Sequence, residues 1–411
     1  MDKEYPRWQT QSVKKALQTR RVVIIAGSRQ SGKTTLSRRF LDGNSVYRTL
    51  DDTTLLAAAL SDPRGFVKNP SGTMIIDEIQ KAPLLISEIK QAVDRDKRPG
   101  QYLLTGSANI QSLPNVSESL AGRVKNIHLR PFTVGEIFEK QPVFLRRAFS
   151  GDFSAQIKGF DKEAIFEMAF RGGYPEPVRL TTAPDRREWY RDYVDSLITR
   201  DLKDITNIRR QASLKDLIAI LAAWSGKFMD IAGICSSLAI SRITIESYIN
   251  ALMSLSIFEK AAPWIRSGYD RIGRRAKLYA ADTGLMTSLL GWDLAEVLLN
   301  ADRAGKLMET FVFQELSAQI DLESRYSLSQ YRDRENREID FIIENEYGSM
   351  LGIEVKAGHH VSRKDFAHLE WFKANLAREK RFTGIVLYSG ENTLSFDAGM
   401  LAVPLAALWT E

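Results

Sequence analysis

Val22-Val23-Ile24-Ile25-Ala26-Gly27-Ser28-Arg29-Gln30-Ser31-Gly32-Lys33-Thr34-Thr35 is the stretch on which the fold turns. The apolar, β-branched run reads as a buried parallel strand, and the residues after it fit G-x-x-x-x-G-K-[ST], a phosphate-binding loop opening a helix. Gly27 and Gly32 let the backbone curl so that successive N–H groups, through Gln30 and Ser31, point at phosphate oxygens. Lys33 is expected to reach the β- and γ-phosphates and Thr34 to ligate Mg²⁺, with Thr35 beside them. A glycine turn between strand and helix is the plainer alternative. The coincidence of strand, spacing, Lys and Thr argues against it and for ATP.

Outward from this stretch the α/β pattern continues. Ser45 to Asp52 reads as a strand ending in acids, and Thr53 to Leu60 as a helix stopped before Asp62-Pro63. Thr73-Met74-Ile75-Ile76-Asp77-Glu78-Ile79-Gln80 has the form of a Walker B strand, which delivers two carboxylates to the carboxyl edge of a parallel sheet. Asp77 is expected to hold Mg²⁺ through water, and Glu78 to orient or deprotonate the attacking water. Gln101 to Asn109 reads as a further strand ending in small polar residues, the place where additional-strand ATPases put a γ-phosphate sensor. Thr105, Ser107 and Asn109 are the candidates, with a Ser/Gly turn as the alternative. Arg123 precedes another strand-like run, Ile127 to Arg130. In a ring it would be an arginine finger for the neighbouring subunit, and otherwise a structural arginine.

At 411 residues, 44% hydrophobic and 26% charged, the chain has the composition of a globular protein of two to four domains. The single cysteine, Cys235, excludes an internal disulfide and a cysteine-based zinc site and suits a reducing cytoplasm. No signal-peptide pattern or membrane-length apolar run is read, so a cytoplasmic protein is expected. The net charge of +6 permits nucleic acid as a partner but does not require it.

The stretches GSRQSGKTTL (27–36), IDEIQKAP (76–83), LTGSA (104–108), LAGR (120–123), PFTVGE (131–136), GGYP (172–175) and YAADTGL (279–285) together resemble a prokaryotic AAA-type ATPase family. Its members carry a C-terminal domain described only as of unknown function. The resemblance implies a multidomain α/β chain with an AAA-like core, a helical lid, a winged helix and a terminal nuclease-like fold. It also favours a homo-oligomer such as a hexameric ring. The expected boundaries are 1–143, 144–210, 211–285 and 286–411.

Residues 144–210 read as helical, with Glu163 to Phe170 and Arg186 to Asp204 clearest. Arg200 reads as a lid arginine or an exposed i,i+4 partner. Phe228 to Ser237, a turn at Leu238-Ala239-Ile240, and a second helix N-capped by Ser241 form a helix-turn-helix. Ile245, Ile249 and Leu252 make the apolar stripe of that second helix and leave Arg242, Thr244, Ser247 and Asn250 outward. Strand-like runs Ile257 to Pro263 and Ala276 to Ala281 flank a loop holding Arg266, Arg271, Arg274, Arg275 and Lys277, which reads as a basic wing. DNA backbone contact through Arg242, Arg271, Arg274 and Arg275 is one reading, and a protein-docking module the other.

Glu338 to Ile343 and Leu351 to Lys356 are strand-like runs that pair as a hairpin centred near Tyr347, which sets Asp340 opposite Glu354. Alternation then places Asp340, Glu354 and Lys356 on one face and Phe341, Ile343, Ile353 and Val355 on the other. Two carboxylates and a lysine suit a hard Mg²⁺ or Mn²⁺ site, with the lysine activating water. The arrangement resembles the PD-(D/E)XK nucleases. Glu309 stands where their upstream helix acid lies, and Ile339 replaces the signature proline. A polar outer face with cross-strand charge pairing is the structural alternative. His359 and His360 are expected at the surface. Two functions follow: an ATPase that couples nucleotide state to DNA and a metal-dependent nuclease-like domain, as in branched-DNA processing, or an ATP-dependent regulatory switch whose winged helix and terminal domain bind protein partners and whose nuclease-like site is inert.

Overall fold

A computed structural model describes residues 4–68, 72–107, 120, 122–202, 211–265, 275–378 and 380–410. The chain falls into two compact units. One comprises Met1–Pro131 with Ser254–Ser256, and the other Phe132–Met253 with Ile257–Glu411. Among the described residues no helix is long and apolar enough to cross a membrane.

The first unit holds five parallel strands: β1 (Val22–Gly27), β2 (Val46–Thr49), β3 (Met74–Asp77), β4 (Tyr102–Ser107) and β5 (Val124–His128), in the order β2-β3-β4-β1-β5. Strand β4 thus lies between the loop-bearing strand and the acidic strand, as the sensor reading requires. Side chains of β1 alternate between two cores, which is why the run is apolar throughout. Val22, Ile24 and Ala26 pack with Ile86, Ile89 and Val93, while Val23 and Ile25 pack with Val13, Leu36 and Leu129. Both faces being covered, ligand access is at the carboxyl edge, where Gly27, Asp77 and Ser107 end their strands. Of the two acids after β2, Asp51 pairs with Lys81 (2.5 Å) and Asp52 is a cap, accepting from the amides of Thr54 (2.8 Å) and Leu55 (3.0 Å) at the start of the helix Thr53–Ser61.

The second unit is built on nine strands. These are β6 (Lys227–Phe228), β7 (Phe258–Pro263), β8 (Lys277–Ala280), β9 (Tyr326–Arg332), β10 (Glu338–Asn345), β11 (Met350–Lys356), β12 (Phe382–Tyr388), β13 (Leu394–Asp397) and β14 (Met400–Pro404). Their order is β13-β14-β12-β11-β10-β9-β7-β8-β6. Strand β7 joins the two halves: Phe258 to Ala261 pair antiparallel with β8, and Ala262 and Pro263 pair parallel with β9. The helices Gln211–Ala223, Ile231–Leu238 and Arg242–Ser254 are interleaved with β6, β7 and β8 in the order helix, strand, helix, helix, strand, strand. Ile245, Ile249 and Leu252 are buried as the stripe requires. Phe228, expected to start a helix, ends β6 instead, and the helix begins at Ile231.

The expected domain boundaries differ from this partition. The first unit closes at Pro131, not at 143, because Phe132 donates its amide to Gly173 O (2.6 Å) within the second unit. The second unit is not divided at 285, where the nine-stranded sheet continues across. The knot is Asp282, which is fully buried. Its carboxylate accepts from the amides of Gly173 (2.7 Å) and Leu285 (2.8 Å) and from the Tyr190 hydroxyl (2.9 Å). A Cβ on Gly172, at φ +75°, would lie 2.5 Å from both Asp282 Oδ1 and Tyr190 Oη, so only glycine fits. The motifs GGYP and DTGL are therefore two sides of one packing contact.

A second buried acid sits at the start of this unit. Thr133 and Glu136 form a capping box for the helix Val134–Ile137, and the Val134 amide donates to Glu315 Oε1 (2.9 Å). Glu315 Oε2 is buried and unpartnered among the described residues. Burial, and then the charge of Glu136, push Glu315 from its ordinary 4.5 up to about 8. A carboxyl raised in the folded state contributes no cost below its unfolded value and its full cost above the folded one. Stability therefore falls as pH rises from about 4.5 to about 8, by at most about 1.4 kcal/mol per unit from this group. Glu315→Gln keeps the acceptor and cannot ionise. Its melting temperature relative to the parent is expected to rise between pH 5 and 8, and thermal melts across that range check it.

Candidate nucleotide site and buried acidic cluster

The loop after β1 has the geometry its glycines imply. Gly32 is at φ +94° and Gln30, exposed, at φ +60°. Gly27 packs against β5, where a Cβ would lie 2.1 Å from Leu129 O. Ser31 Oγ donates to Ser28 O (2.9 Å), and the Lys33 ammonium donates to Gly27 O (3.1 Å) and Ser28 O (2.7 Å) inside the loop. Thr34 Oγ1 donates to the Asp77 carboxylate at 3.1 and 3.0 Å. The Thr105 hydroxyl also bonds Asp77 and accepts from the Glu78 amide (3.3 Å), so β4 supports both carboxylate residues. Glu78 stands at φ +60° with its carboxylate bonded by Gln80. Thr35 is exposed at the next position of the helix Lys33–Arg38. Thr34 and Asp77 are hard oxygen donors converging behind a phosphate-binding loop, and this donor set fits Mg²⁺.

Two residues of this site escaped the motif reading. The Tyr47 hydroxyl donates to Asp77 Oδ2 (3.0 Å), and burial raises that phenol above its ordinary range, with Asp77 adding to the shift against Arg38. Its only sequence signal is a strand adjacent to the acidic one. Arg7, upstream of any motif, clamps the loop by donating to Ser31 O (2.8 Å) and Arg130 O (2.5 Å). Arg123 is not brought to this site. It precedes β5 at the opposite edge of the sheet and pairs with Asp94 (Nη2–Oδ2 3.1 Å), holding that carboxyl below its ordinary range. Ser107 is buried at the end of β4, and Asn109 lies outside the described residues.

In the second unit the hairpin register is as read: Phe341 faces Ile353, which sets Asp340 opposite Glu354. Asp340 and Lys356 both act on Glu354, as that register implies, but Ile339 departs from the alternation. A bulge in β10 between Ile339 and Ile342 breaks the alternation. Ile339 and Ile342 consequently share one core with Phe366, Leu369 and Phe372, while Phe341 meets the rings of Tyr279 and Phe313 on the other side. Asp340 turns to that second side, toward the helix Ala301–Ile320 that bears Glu309.

There it meets a residue assigned above to a basic wing. Lys277 is buried, and its Nζ lies 2.8 Å from Glu309 Oε1, 2.5 Å from Glu338 Oε1 and 3.3 Å from Asp340 Oδ1. Asp340 Oδ2 accepts from the Val355 amide (3.0 Å), and the Tyr279 hydroxyl donates to Glu309 Oε1 (2.6 Å). Glu338 and Tyr279 are further members that the motif did not name. Burial and then the Asp340 charge push Glu309 up to about 7, and the same two causes hold Glu354 well above the ordinary carboxylate range. Burial pulls Lys277 down, but Asp340, Glu309 and Glu338 together outweigh it and raise it. Among the described residues the ion pair of Lys356 is with Asp365 (3.4 Å).

Of the residues read as DNA contacts, Arg242 is exposed and bonded to Glu246 (2.8 Å), and Arg275 is exposed beside β8. Arg266, Arg271 and Arg274 lie outside the described residues. Ser241 caps its helix by accepting from the Thr244 amide (3.3 Å). Arg200 is exposed, and His359 and His360 lie at the surface as expected.

Residues 19–138 match the family model of an AAA domain, residues 162–296 that of a domain of unknown function (DUF8612), and residues 304–408 that of another (DUF4143). The chain is similar to an uncharacterized protein of Mycobacterium tuberculosis, 28% identical over 400 residues that cover 97% of this chain and 83% of that protein. An uncharacterized protein of Methanocaldococcus jannaschii is 22% identical over 354 residues, covering 81% of this chain and 74% of the other. Among solved structures, a RuvB variant of Thermotoga maritima aligns with 61% of this chain and 88% of its own at 18% identity and a TM-score of 0.27. The match over residues 19–138, with loop and acidic strand in place, supports an AAA-type ATPase.

Proposed function

We propose that the chain hydrolyses ATP in its first unit and uses the nucleotide state to control a DNA-contacting second unit. The observation that carries the first half is the convergence of Thr34, Asp77 and Thr105 beside Lys33 and Glu78 at one sheet edge. Thr34 and Asp77 would hold Mg²⁺, which when bound supplies positive charge to the β- and γ-phosphate oxygens. Lys33, on a flexible stem, turns its ammonium from the loop carbonyls to the phosphates. Glu78, steadied by Gln80, orients water for in-line attack and takes up its proton. Thr105 keeps both carboxylates in register, and Tyr47 supports Asp77 from β2. In a homo-oligomer Arg123 would serve the neighbouring subunit in exchange for its pair with Asp94.

For the second unit, the helix-strand-helix-helix-strand-strand order supports a winged helix, with the outward Arg242 and Arg275 suited to backbone phosphates. Its terminal half supports a PD-(D/E)XK-like fold. Of the two readings of that fold, cutting or regulatory, the ammonium of Lys277 among the carboxylates favours the regulatory one.

Lys33→Ala and Glu78→Gln are each expected to lower the ATP turnover number by roughly a hundredfold or more. Glu78→Gln should retain nucleotide affinity, measured as phosphate release against nucleotide binding at saturating ATP. Unchanged turnover in Glu78→Gln would remove it as the water-orienting group. For DNA, Arg242→Ala and Arg275→Ala should each weaken duplex binding and reduce the slope of log affinity against log salt by about 1. Titrations at several salt concentrations read this slope, and an unchanged slope would point to protein docking instead.

A further inference from the structure

The acidic constellation of the second unit already holds a cation of its own. Lys277 lies in β8, with β7 on one side and β6 on the other, and its Cα is fixed by pairing with Ala261 and Phe228. Its side chain is 2% exposed. An ammonium has three protons, and here three carboxylates receive it: Glu309 at 2.8 Å, Glu338 at 2.5 Å and Asp340 at 3.3 Å. Its neighbours are packed close around it. The Phe228 ring is 5.7 Å from Nζ, Tyr279 takes a further lone pair of Glu309, and a Cβ on Gly226 would come within 3.1 Å of Glu309 Oε2.

One of these carboxylates, Asp340, is an expected metal ligand, and the other expected ligand, Glu354, feels the Lys277 charge. Asp340 and Glu309 belong to the expected ligand and helper set, and a Mg²⁺ or Mn²⁺ bound to them would share their oxygens with a fixed, buried positive charge. The residues therefore do not fit a divalent metal. Nor is there room for Lys277 to withdraw, because its stem is buried and its strand is paired on both sides.

We propose that Lys277 is the resident cation of this site, its ammonium standing where a metal-dependent nuclease holds its metal. The constellation then serves as a charge-locked joint between β8, the helix Ala301–Ile320 and β10. This rests on the regulatory reading of the terminal fold and specifies its physical cause.

The test is Mn²⁺ binding, followed by electron paramagnetic resonance of the full chain without nucleotide, in an Asp77→Asn background that silences the Walker site. The protein with Lys277 should bind no more Mn²⁺ than its Asp340→Asn derivative. Lys277→Met should gain a Mn²⁺ site, roughly tenfold or more tighter than anything in the parent, and adding Asp340→Asn should abolish it. A folded Lys277→Met that gains no site overturns the proposal, as does Mn²⁺ bound in an Asp340-dependent way while Lys277 is present. Should Lys277→Met fail to fold, the comparison of parent with Asp340→Asn decides alone. Labelled duplex and branched DNA incubated with the same samples separates the two levels. Asp340-dependent Mn²⁺ binding without cutting removes Lys277 as resident cation and leaves the regulatory reading. Such binding with Asp340-dependent cutting removes both.

Discussion

A carboxylate taken out of water must be answered by donors, and the second unit is closed around one such answer. Asp282 receives the amides of Gly173 and Leu285 and the hydroxyl of Tyr190, each bond shorter than 3.0 Å. Because a buried charge is costly unless all its bonds are made, the three segments supplying them cannot part independently. Glycine is required on two sides of the knot, at Gly172 and at Gly284, where a Cβ would lie 2.4 Å from Arg171 O. This explains why a helical stretch that looks like a separate lid belongs to the same unit as the strands following it. The domain boundaries drawn from changes in periodicity could not register a contact between residues more than a hundred positions apart.

What was legible in the sequence is what is local. The loop, the acidic strand and the polar end of β4 each carry their chemistry within a few residues, and the parallel order brings them to one edge. Tyr47 and Arg7 were not legible because their partners are reached through the fold: Asp77 lies on the next strand, and Ser31 is approached from upstream of β1. The same distinction holds in the hairpin. Its register follows from the turn, and Asp340 does stand opposite Glu354. The side that Ile339 takes depends on a one-residue bulge set by pairing with β9, which no alternation pattern reveals.

Two of the non-glycine residues with positive φ lie where the chemistry is placed. Gln30 and Glu78 both have positive φ, one in the loop and one directly after Asp77. A non-glycine residue in that region costs of order 1 kcal/mol and persists only where its surroundings fix it. For Glu78 the surroundings are visible: its amide is held by Thr105 and its carboxylate by Gln80. The conformation turns Glu78 out of the strand direction that buries Asp77, so two adjacent acids are held in different settings, one against Thr34 and the other beyond it.

Lys277 shows how far a charge can mislead when only its neighbours in sequence are known. Beside Arg274 and Arg275 it reads as one more cation of a wing, yet it is the first residue of β8 and its side chain enters the sheet's covered face. Buried ion clusters are poor sources of stability, since apolar residues of like volume commonly do as well. They are good sources of specificity, because any other register leaves carboxylates unanswered. A one-residue shift of β8 would carry Lys277 to the opposite face and leave Glu309, Glu338 and Asp340 without their cation. The cluster thus fixes the register of β8 against β6 and β7 and holds that strand to the helix Ala301–Ile320 and to β10, and this is a constraint that a metal lost to solution could not supply.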